Sequence, residues 1–332
     1  MKMQKKIGPA LFALMLLTAV SCSEAVNKYL NVIKPPTEAE FNQVRNDALQ
    51  GITQTQTFKA EDGIDFTSKE GAHFTIEPNS MYLNGNLVTG DVTLEFVELY
   101  KRGDMLVVNK PLMGTAGDGI TKGPLITGGQ FYVNVTKENQ QVTANYNLTV
   151  PTANTGDFNP NMSLWQGEED ENGNMVWNEV VMRMTDNENI GAVIGGGGEN
   201  LNEYNIFGSY FNWTNIDILY SLPEPKTQVW VKVPTGYDYK NCSIYVAYKD
   251  QPGALAYMDV WDTDKEMFTE HYGLAPIGFN FYVIFISTQS DGKYIYAYQD
   301  VTVEENKIIT FNSSDLKQID KDALIALINN LE

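Results

Sequence analysis

The sequence predicts an all-β protein made of two antiparallel β-sandwich domains, with a short N-terminal helix and a C-terminal amphipathic helix. Apolar and polar residues alternate with a period of two over much of residues 55–311, which is typical of strands packed on one face. Gly, Asn and Asp turn residues separate these runs at short intervals. Helical spacing of apolar residues is confined to two stretches, 37–51 and 313–332.

The first 21 residues have the pattern of a targeting segment. Lys2, Lys5 and Lys6 form a basic head, and an apolar run follows over residues 10–20. This run has the length of a signal-peptide core and is too short to cross a bilayer. We therefore predict that residues 1–21 are a signal peptide and that the mature chain begins at Cys22.

The stretch LMLLTAVSCSEAV resembles the lipobox of bacterial lipoproteins, with Ala19 where an aliphatic residue is usual. The resemblance implies that Cys22 is lipidated and that the membrane is a partner through this anchor. Ser23 in the next position is typical of lipoproteins sorted to the outer membrane, where the protein would face the periplasm or the cell surface. The alternative is an ordinary signal peptide that leaves a free thiol at Cys22.

The acidic composition excludes one class of partner. The chain has 42 acidic and 23 basic residues, and removal of residues 1–21 takes away three Lys and no acid, leaving a net charge of −22. Nucleic acids require a basic surface, so we expect no nucleic-acid partner. We also expect no cofactor.

The tether and first helix are predicted over residues 22–52. Pro35 and Pro36 end a polar linker, Thr37 and Glu40 have the spacing of a capping box, and Gly51 is expected to stop the helix. The first sandwich is predicted over 53–155, with strands at 55–60, 64–68, 73–77, 88–100, 104–109, 125–136 and 141–150. Its turns are expected at residues 61–63, 84–86, 102–104 and 128–129, and residues 114–123 are expected to form a loop.

The second half of the chain is divided in the same way. Residues 156–222 are an intervening β-rich segment, which contains a hairpin across residues 162–181 and further strands near 203–220. The SLPEPKTQ stretch marks the start of an Ig-like sandwich over 223–312, with strands at 228–233, 242–249, 254–262, 267–272, 279–288, 293–303 and 307–311. The C-terminal helix, 313–332, is expected to begin at Asp315 and to dock on its own domain.

Two segments resemble parts of a known family. GAHFTIEPNSMYLNGNLVTGDVTLEFVELYKRGDML, continuing to LITGGQFYVNV, resembles the Zonula-occludens/Unc-five type of β-sandwich module as found in uncharacterised lipoproteins of the Bacteroidota type. FNWTNIDILYSLPEPKTQVWVKVP is similar to the region that leads into the last, Ig-like domain of those proteins. The resemblance implies a fold and supplies no catalytic residues.

One acidic hairpin has the spacing of a calcium loop. Glu168, Asp170, Asn172 and Glu179 occupy positions one, three, five and twelve of an EF-hand-like pattern. The flanking residues are predicted strands rather than helices, and Asn172-Gly173 is a hairpin turn signal, so a solvated acidic hairpin is the favoured interpretation. We predict no other metal site.

Aromatic residues suggest a second kind of site. Tyr294, Tyr296 and Tyr298 share one face of a predicted strand, and Trp165 and Trp177 lie on opposite arms of the acidic hairpin. Exposed aromatic rows can stack on sugar rings, whereas packing within the sheet or core is the simpler interpretation. Both interpretations remain open at this point.

Enzymatic chemistry has little support. The chain has two His residues, and His73 is predicted on an outward strand face with Thr75 and Glu77. Cys242 is predicted to face inward, and no nucleophile-elbow or phosphate-loop motif is present. The sequence therefore predicts a non-enzymatic binding or structural protein of the cell envelope, with a glycan or an envelope protein as the candidate partner. The alternatives are a surface glycan-binding lipoprotein and a hydrolase that uses paired carboxylates.

Overall fold

The computed structural model describes residues 33–169, 174–180, 191–193, 202–270 and 275–331. The described residues are mostly strands with three α-helices, so the all-β prediction is confirmed. The described residues from Pro35 onward belong to one compact unit, Pro35–Glu332. No described helix combines the length and the hydropathy that a bilayer crossing requires. The predicted signal peptide, Cys22, His271 and the four glycines at 195–198 lie outside the described residues.

Helices and strands are numbered in chain order. Helices α1 to α3 span Glu38–Ile52, Arg102–Val107 and Lys321–Asn329. Strands β1 to β7 span Gln54–Lys59, Ile64–Thr67, His73–Ile76, Tyr82–Leu83, Asn86–Leu87, Asp91–Leu99 and Met113–Thr115. Strands β8 to β15 span Lys122–Lys137, Gln140–Gln141, Tyr146–Pro151, Ser163–Glu169, Met175–Glu179, Gly191–Val193, Glu203–Gly208 and Trp213–Leu219.

The remaining strands lie in the C-terminal part. Strands β16 to β21 span Lys226–Thr227, Trp230–Lys232, Ser243–Tyr248, Leu255–Tyr257, Val260–Asp262 and Met267–Thr269. Strands β22 to β26 span Ala275–Pro276, Asn280–Thr288, Tyr294–Thr302, Ile308–Thr310 and Lys317–Ile319. Short 3₁₀ turns occur at Thr152–Asn154 and Ser313–Asp315.

Two sheets are built from the first two-thirds of the chain. An eight-stranded sheet has the order β1-β6-β8-β15-β11-β12-β7, with β9 paired to β8, and a five-stranded sheet has the order β13-β14-β10-β3-β2. Strands from 53–155 and from 156–222 hydrogen-bond to each other in both sheets. A buried core containing Phe74, Leu94, Phe131 and Leu148 takes side chains from both sheets.

Part of the eight-stranded sheet closes on itself. Strand β7 pairs with β12 in parallel and with the start of β8 in antiparallel fashion, so β8, β15, β11, β12 and β7 form a ring. Trp165 and Leu125 approach Gly114 from inside this ring, where a Cβ on Gly114 would meet the Trp165 indole at 2.8 Å. The sequence did not predict this closure, because it depends on pairing between strands that are distant in the chain.

The C-terminal part contains a four-stranded sheet, β20-β21-β17-β25, and a second five-stranded sheet, β19-β18-β23-β24-β26. A second core joins this five-stranded sheet, all three helices and the ring. It contains Ala48, Leu106, Tyr245, Ile284 and Leu324 among its buried residues. The C-terminal helix packs into this second core through Leu324 and Ile328, in contact with α2.

Several local predictions were wrong for identifiable reasons. Residues 104–109 were predicted as a strand, but most of them belong to α2, because a short apolar run such as MLVV fits either a buried strand or a buried helix. The turn predicted at 128–129 lies inside β8, where the pairing with β15 shifts register. The C-terminal helix begins after Asp320 rather than at Asp315, because Lys317–Ile319 pair with β24 as a strand.

The first helix follows its sequence signals closely at one end. Thr37 Oγ1 accepts the Glu40 N–H at 3.3 Å, and the Glu40 carboxylate accepts the Thr37 N–H at 2.8 Å, which completes the capping box. Gly51, expected to stop the helix, lies in its last turn instead. Thr53 ends the helix with an extended backbone.

Candidate binding site

The exposed face of the first five-stranded sheet presents a continuous polar surface. Its inward residues, such as Phe74 and Leu148, are buried in the first core, so the alternate residues point outward. The outward residues of β2, β3, β10 and β14 are half-buried or exposed, and Pro151 and Glu203 form an incomplete row at one end. The eight that form complete rows across all four strands we call the polar face: Asp65, Thr67, His73, Thr75, Asn147, Thr149, Asn205 and Phe207.

The register arranges the polar face in two rows across the four strands β14, β10, β3 and β2. One row is Phe207, Asn147, Thr75 and Asp65, and the other is Asn205, Thr149, His73 and Thr67. Strands lie about 4.8 Å apart and alternate residues on a strand about 7 Å apart. The two rows therefore cover a flat area of about 14 by 7 Å between side-chain positions.

Two contacts within the polar face hold side chains in place. His73 Nε2 lies 2.6 Å from Asp65 Oδ1, and Thr149 Oγ1 donates to Asn205 Oδ1 at 2.8 Å. Among the described residues, the Asn147 amide and the Thr75 hydroxyl make no side-chain hydrogen bond. The face thus combines fixed groups with groups that are free to bind a ligand.

Phe207 is the unusual member of this surface. It is 51 % exposed, although it lies within the sheet rather than at a terminus. Strand β13 pairs with β14 so that Gly191, which has no side chain, lies opposite Phe207. Its neighbours Asn147 and Asn205 are polar, so the Phe207 ring is the apolar contact that the polar face offers.

The predicted tryptophan platform does not exist. Trp165 and Trp177 are 1 % and 0 % exposed, because the hairpin that carries them belongs to the closed ring and their indoles fill its interior. The Trp165 Nε1–H donates to the Asp217 carbonyl at 3.0 Å, and the Trp177 Nε1–H donates to the Pro111 carbonyl at 2.9 Å. Both tryptophans are therefore core residues, which is the simpler of the two interpretations.

The predicted tyrosine ladder is only partly exposed. Tyr294 is buried in the second core, Tyr296 is half-buried, and of the three only Tyr298, at 41 % exposure, is open to solvent. Tyr298 packs edge-on against Tyr282 on the neighbouring strand, with ring centroids 5.8 Å apart. A row of three stacking platforms is therefore wrong for this strand.

The calcium pattern is split by the hairpin. Asp170 and Asn172 lie outside the described residues. Glu179 pairs with Trp165, three residues along β11 from Glu168, which separates the two positions by about 10 Å. The Glu179 carboxylate instead accepts the Gly117 N–H at 2.8 Å. No group of three potential His, Cys, Asp or Glu ligands gathers anywhere in the described part of the chain.

A cleft of about 230 Å³ tests the carboxylate alternative, since Glu70, Glu98 and Asp104 all line it. Glu98 is already saturated: its two oxygens accept hydrogen bonds from the Gln54 amide, the Ser68 hydroxyl, the Glu70 N–H and the Tyr100 hydroxyl, at 2.7 to 3.1 Å. Burial raises the pKa of Asp104. Glu98 therefore has a structural role that fits these contacts better than a catalytic one: its hydrogen bonds hold β1, the turn after β2 and Tyr100 together.

Comparison of the chain with models of protein families and with curated protein sequences finds no match. The sequence predicts two members of the polar face, His73 and Thr75, as outward residues of one strand. It missed Asn147, Asn205 and Phe207, because their outward parity in β10 and β14 gains meaning only when those strands are known to be neighbours.

Proposed function

We propose that this protein is a lipid-anchored component of the cell envelope with a non-enzymatic binding role, and that the polar face is its binding surface. The polar face carries the proposal, because accessible polar side chains there surround an exposed Phe207. The outer membrane is the proposed location, as the Cys22-Ser23 pair suggests.

The fold is proposed to consist of two β-sandwiches. The shared first core supports a sandwich of the eight-stranded and the first five-stranded sheet. Ring contacts such as Phe285 with Phe311, at 5.9 Å between centroids, support a second sandwich in the C-terminal part. The resemblance to the Zonula-occludens/Unc-five module and to Bacteroidota-type lipoproteins agrees with this arrangement and remains a proposal.

The attachment of the chain agrees with a tether. The first residues of the compact unit Pro35–Glu332 are held in place: the Pro36 carbonyl accepts from the Asn241 side-chain amide at 3.2 Å, and a Cβ on Gly236 would meet the Pro35 ring at 3.0 Å. Residues 23–34 would then link the lipid at Cys22 to this point. Twelve extended residues reach about 40 Å, enough to cross the headgroup region.

Membrane fractionation of cells that express the full chain tests the anchor. We expect the wild-type protein in the outer-membrane fraction and the Cys22→Ala variant in soluble fractions. Cys242→Ala is the matched control, because Cys242 is buried with its Sγ 3.2 Å from the Asp238 carbonyl and has no part in anchoring. Because Cys22→Ala cannot carry the acyl chains, it should be released from the membrane. Its retention in the membrane fraction would contradict the proposal.

A further inference from the structure

We propose that the polar face binds a neutral oligosaccharide. This inference rests on the proposed function, since it names the ligand class of the same surface. It depends on the charge, the hydrogen-bonding groups, the exposed ring and the shape of that surface.

Charge selects against ionic ligands. None of the eight residues is Lys or Arg, so an acidic polysaccharide or a phosphate polymer finds no countercharge on this face. Asp65 lies 2.6 Å from His73, and a second carboxylate, Glu203, lies beside the polar face at the start of β14. With no basic side chain to hold an anion, the surface fits a neutral polar ligand.

The hydrogen-bonding groups fit a polyhydroxylated ligand. Asn147 carries donors and an acceptor, and the hydroxyls of Thr67 and Thr75 can donate and accept. The Asn205 amide can still donate and the Thr149 hydroxyl can still accept, since their mutual hydrogen bond uses the Thr149 hydrogen and the Asn205 oxygen. Cross-strand neighbours lie about 5 Å apart, so adjacent groups can reach different hydroxyls of one sugar. A protein partner would instead favour a larger apolar centre than one exposed ring.

Phe207 supplies the apolar contact. The face of an aromatic ring carries partial negative charge and attracts the weakly positive C–H groups of a pyranose. Asn147 lies directly across from Phe207 and Asn205 lies two residues before it on the same strand, so a sugar stacked on the ring has an amide on two sides. Phe207 is thus placed as an orienting platform.

The shape of the surface favours a chain rather than a monosaccharide. The two rows extend across four strands on an open sheet, with Phe207 at one end and the Asp65–His73 pair at the other. An open surface about 14 Å long cannot enclose a small ligand but can contact several linked sugars.

A glycan array of neutral and acidic oligosaccharides, probed with the detergent-purified full chain, tests the inference. We expect binding to neutral oligosaccharides, a loss of about tenfold in affinity for Phe207→Ala, and a similar loss for Asn147→Ala. Tyr298→Ala is the matched control, since it removes an exposed tyrosine from another sheet and should leave binding unchanged. Circular dichroism of each variant checks that it is folded.

Three results overturn the proposal: no binding to any neutral oligosaccharide, binding restricted to acidic ones, or full binding by Phe207→Ala. A photo-crosslinking amino acid at position 207 in cells separates the failures. Crosslinks to a protein would overturn the proposal of a glycan ligand and would leave the polar face as a binding surface. No crosslinked product together with a silent array would remove both proposals, while the fractionation of Cys22→Ala judges the anchor independently.

Discussion

Gly103 lies directly against the backbone of Ile325: a Cβ on Gly103 would come within 2.5 Å of the Ile325 carbonyl oxygen. The Gly103 N–H also donates to the Asn329 side-chain oxygen at 2.8 Å. The absence of a side chain at position 103 therefore lets α2 and α3 approach closely. This contact ties the C-terminal helix to the second core.

The Gly103→Ala variant should destabilise the protein by about 2 kcal/mol, because the added methyl group meets backbone that cannot move without displacing α3. Urea unfolding measures the effect. Gly51→Ala is the matched control, because Gly51 also lies in a helix and a Cβ there would lie 3.8 Å from the flexible Lys321 ammonium. This substitution should raise the free energy of unfolding by up to about 1 kcal/mol. Equal effects of the two substitutions would contradict this account of the helix contact.

Arg102 is expected to be the strongest single polar contribution to the same contact. Its guanidinium is buried and donates to the carbonyls of Ile328, at 2.9 Å, Tyr248, at 3.1 Å, and Leu331. Arg102→Ala removes a charged donor from each of these carbonyls and should cost about 3 kcal/mol. The Arg102→Lys variant keeps the charge, but a Lys ammonium cannot reach all three carbonyls, so its loss of stability should be intermediate. Hydrogen exchange across residues 321–331 should quicken in both variants, and unchanged protection there would argue against the role.

Asp217 should make stability depend on pH. It is fully buried, its Oδ1 has no hydrogen-bond partner among the described residues, and burial raises its pKa well above the usual value for Asp. As pH rises above the ordinary Asp pKa, the unfolded carboxyl loses its proton while the folded one keeps it. Stability therefore falls with rising pH until the folded pKa is passed.

Asp217→Asn should remove this dependence and raise the unfolding temperature at neutral pH. Asp118→Asn is a control of opposite sign, since hydrogen bonds from Thr121 and Ile120 lower the pKa of the exposed Asp118 and its contribution is lost toward acid. Thermal melts from pH 4 to 8 measure both. Equal melting temperatures of the wild type and Asp217→Asn at every pH would show that the carboxyl is not held neutral.

The Lys110–Glu169 pair should matter far more than an exposed pair. The Lys110 ammonium, 6 % exposed, forms an ion pair with Glu169 and lies 5.2 Å from the Trp213 ring centre. Burial lowers the pKa of Lys110. Glu169→Gln leaves the cation poorly compensated and should cost about 2 kcal/mol, whereas Lys110→Met should be close to neutral. In the exposed Lys59–Asp91 pair, Asp91→Asn should produce no change that urea unfolding can detect.

Local signals in the sequence predicted local structure well. The Thr37–Glu40 capping box forms because both partners lie within one turn of helix, and the strands of residues 223–312 follow from alternation and nearby turns. The misreading of 104–109 has the opposite cause. Its four consecutive apolar residues fit either element, and docking against α3 and β19 favours the helix.

Long-range pairing limited the prediction of the site. For Trp165 and Trp177 the sequence left a surface pair and core packing both open, and the contact of β7 with β12 encloses them in the core. The polar face requires β10 to lie between β3 and β14, and no short-range pattern encodes that order. Parity along one strand shows which residues share a face, but neighbouring strands decide whether that face is covered.

Intact-mass spectrometry of the protein purified from membranes tests the central claim most directly. The account predicts a chain that starts at Cys22 and is heavier than residues 22–332 by the mass of a glyceride-linked lipid and its acyl chains. A full-length chain that retains residues 1–21, or a cleaved chain with an unmodified Cys22, would contradict it.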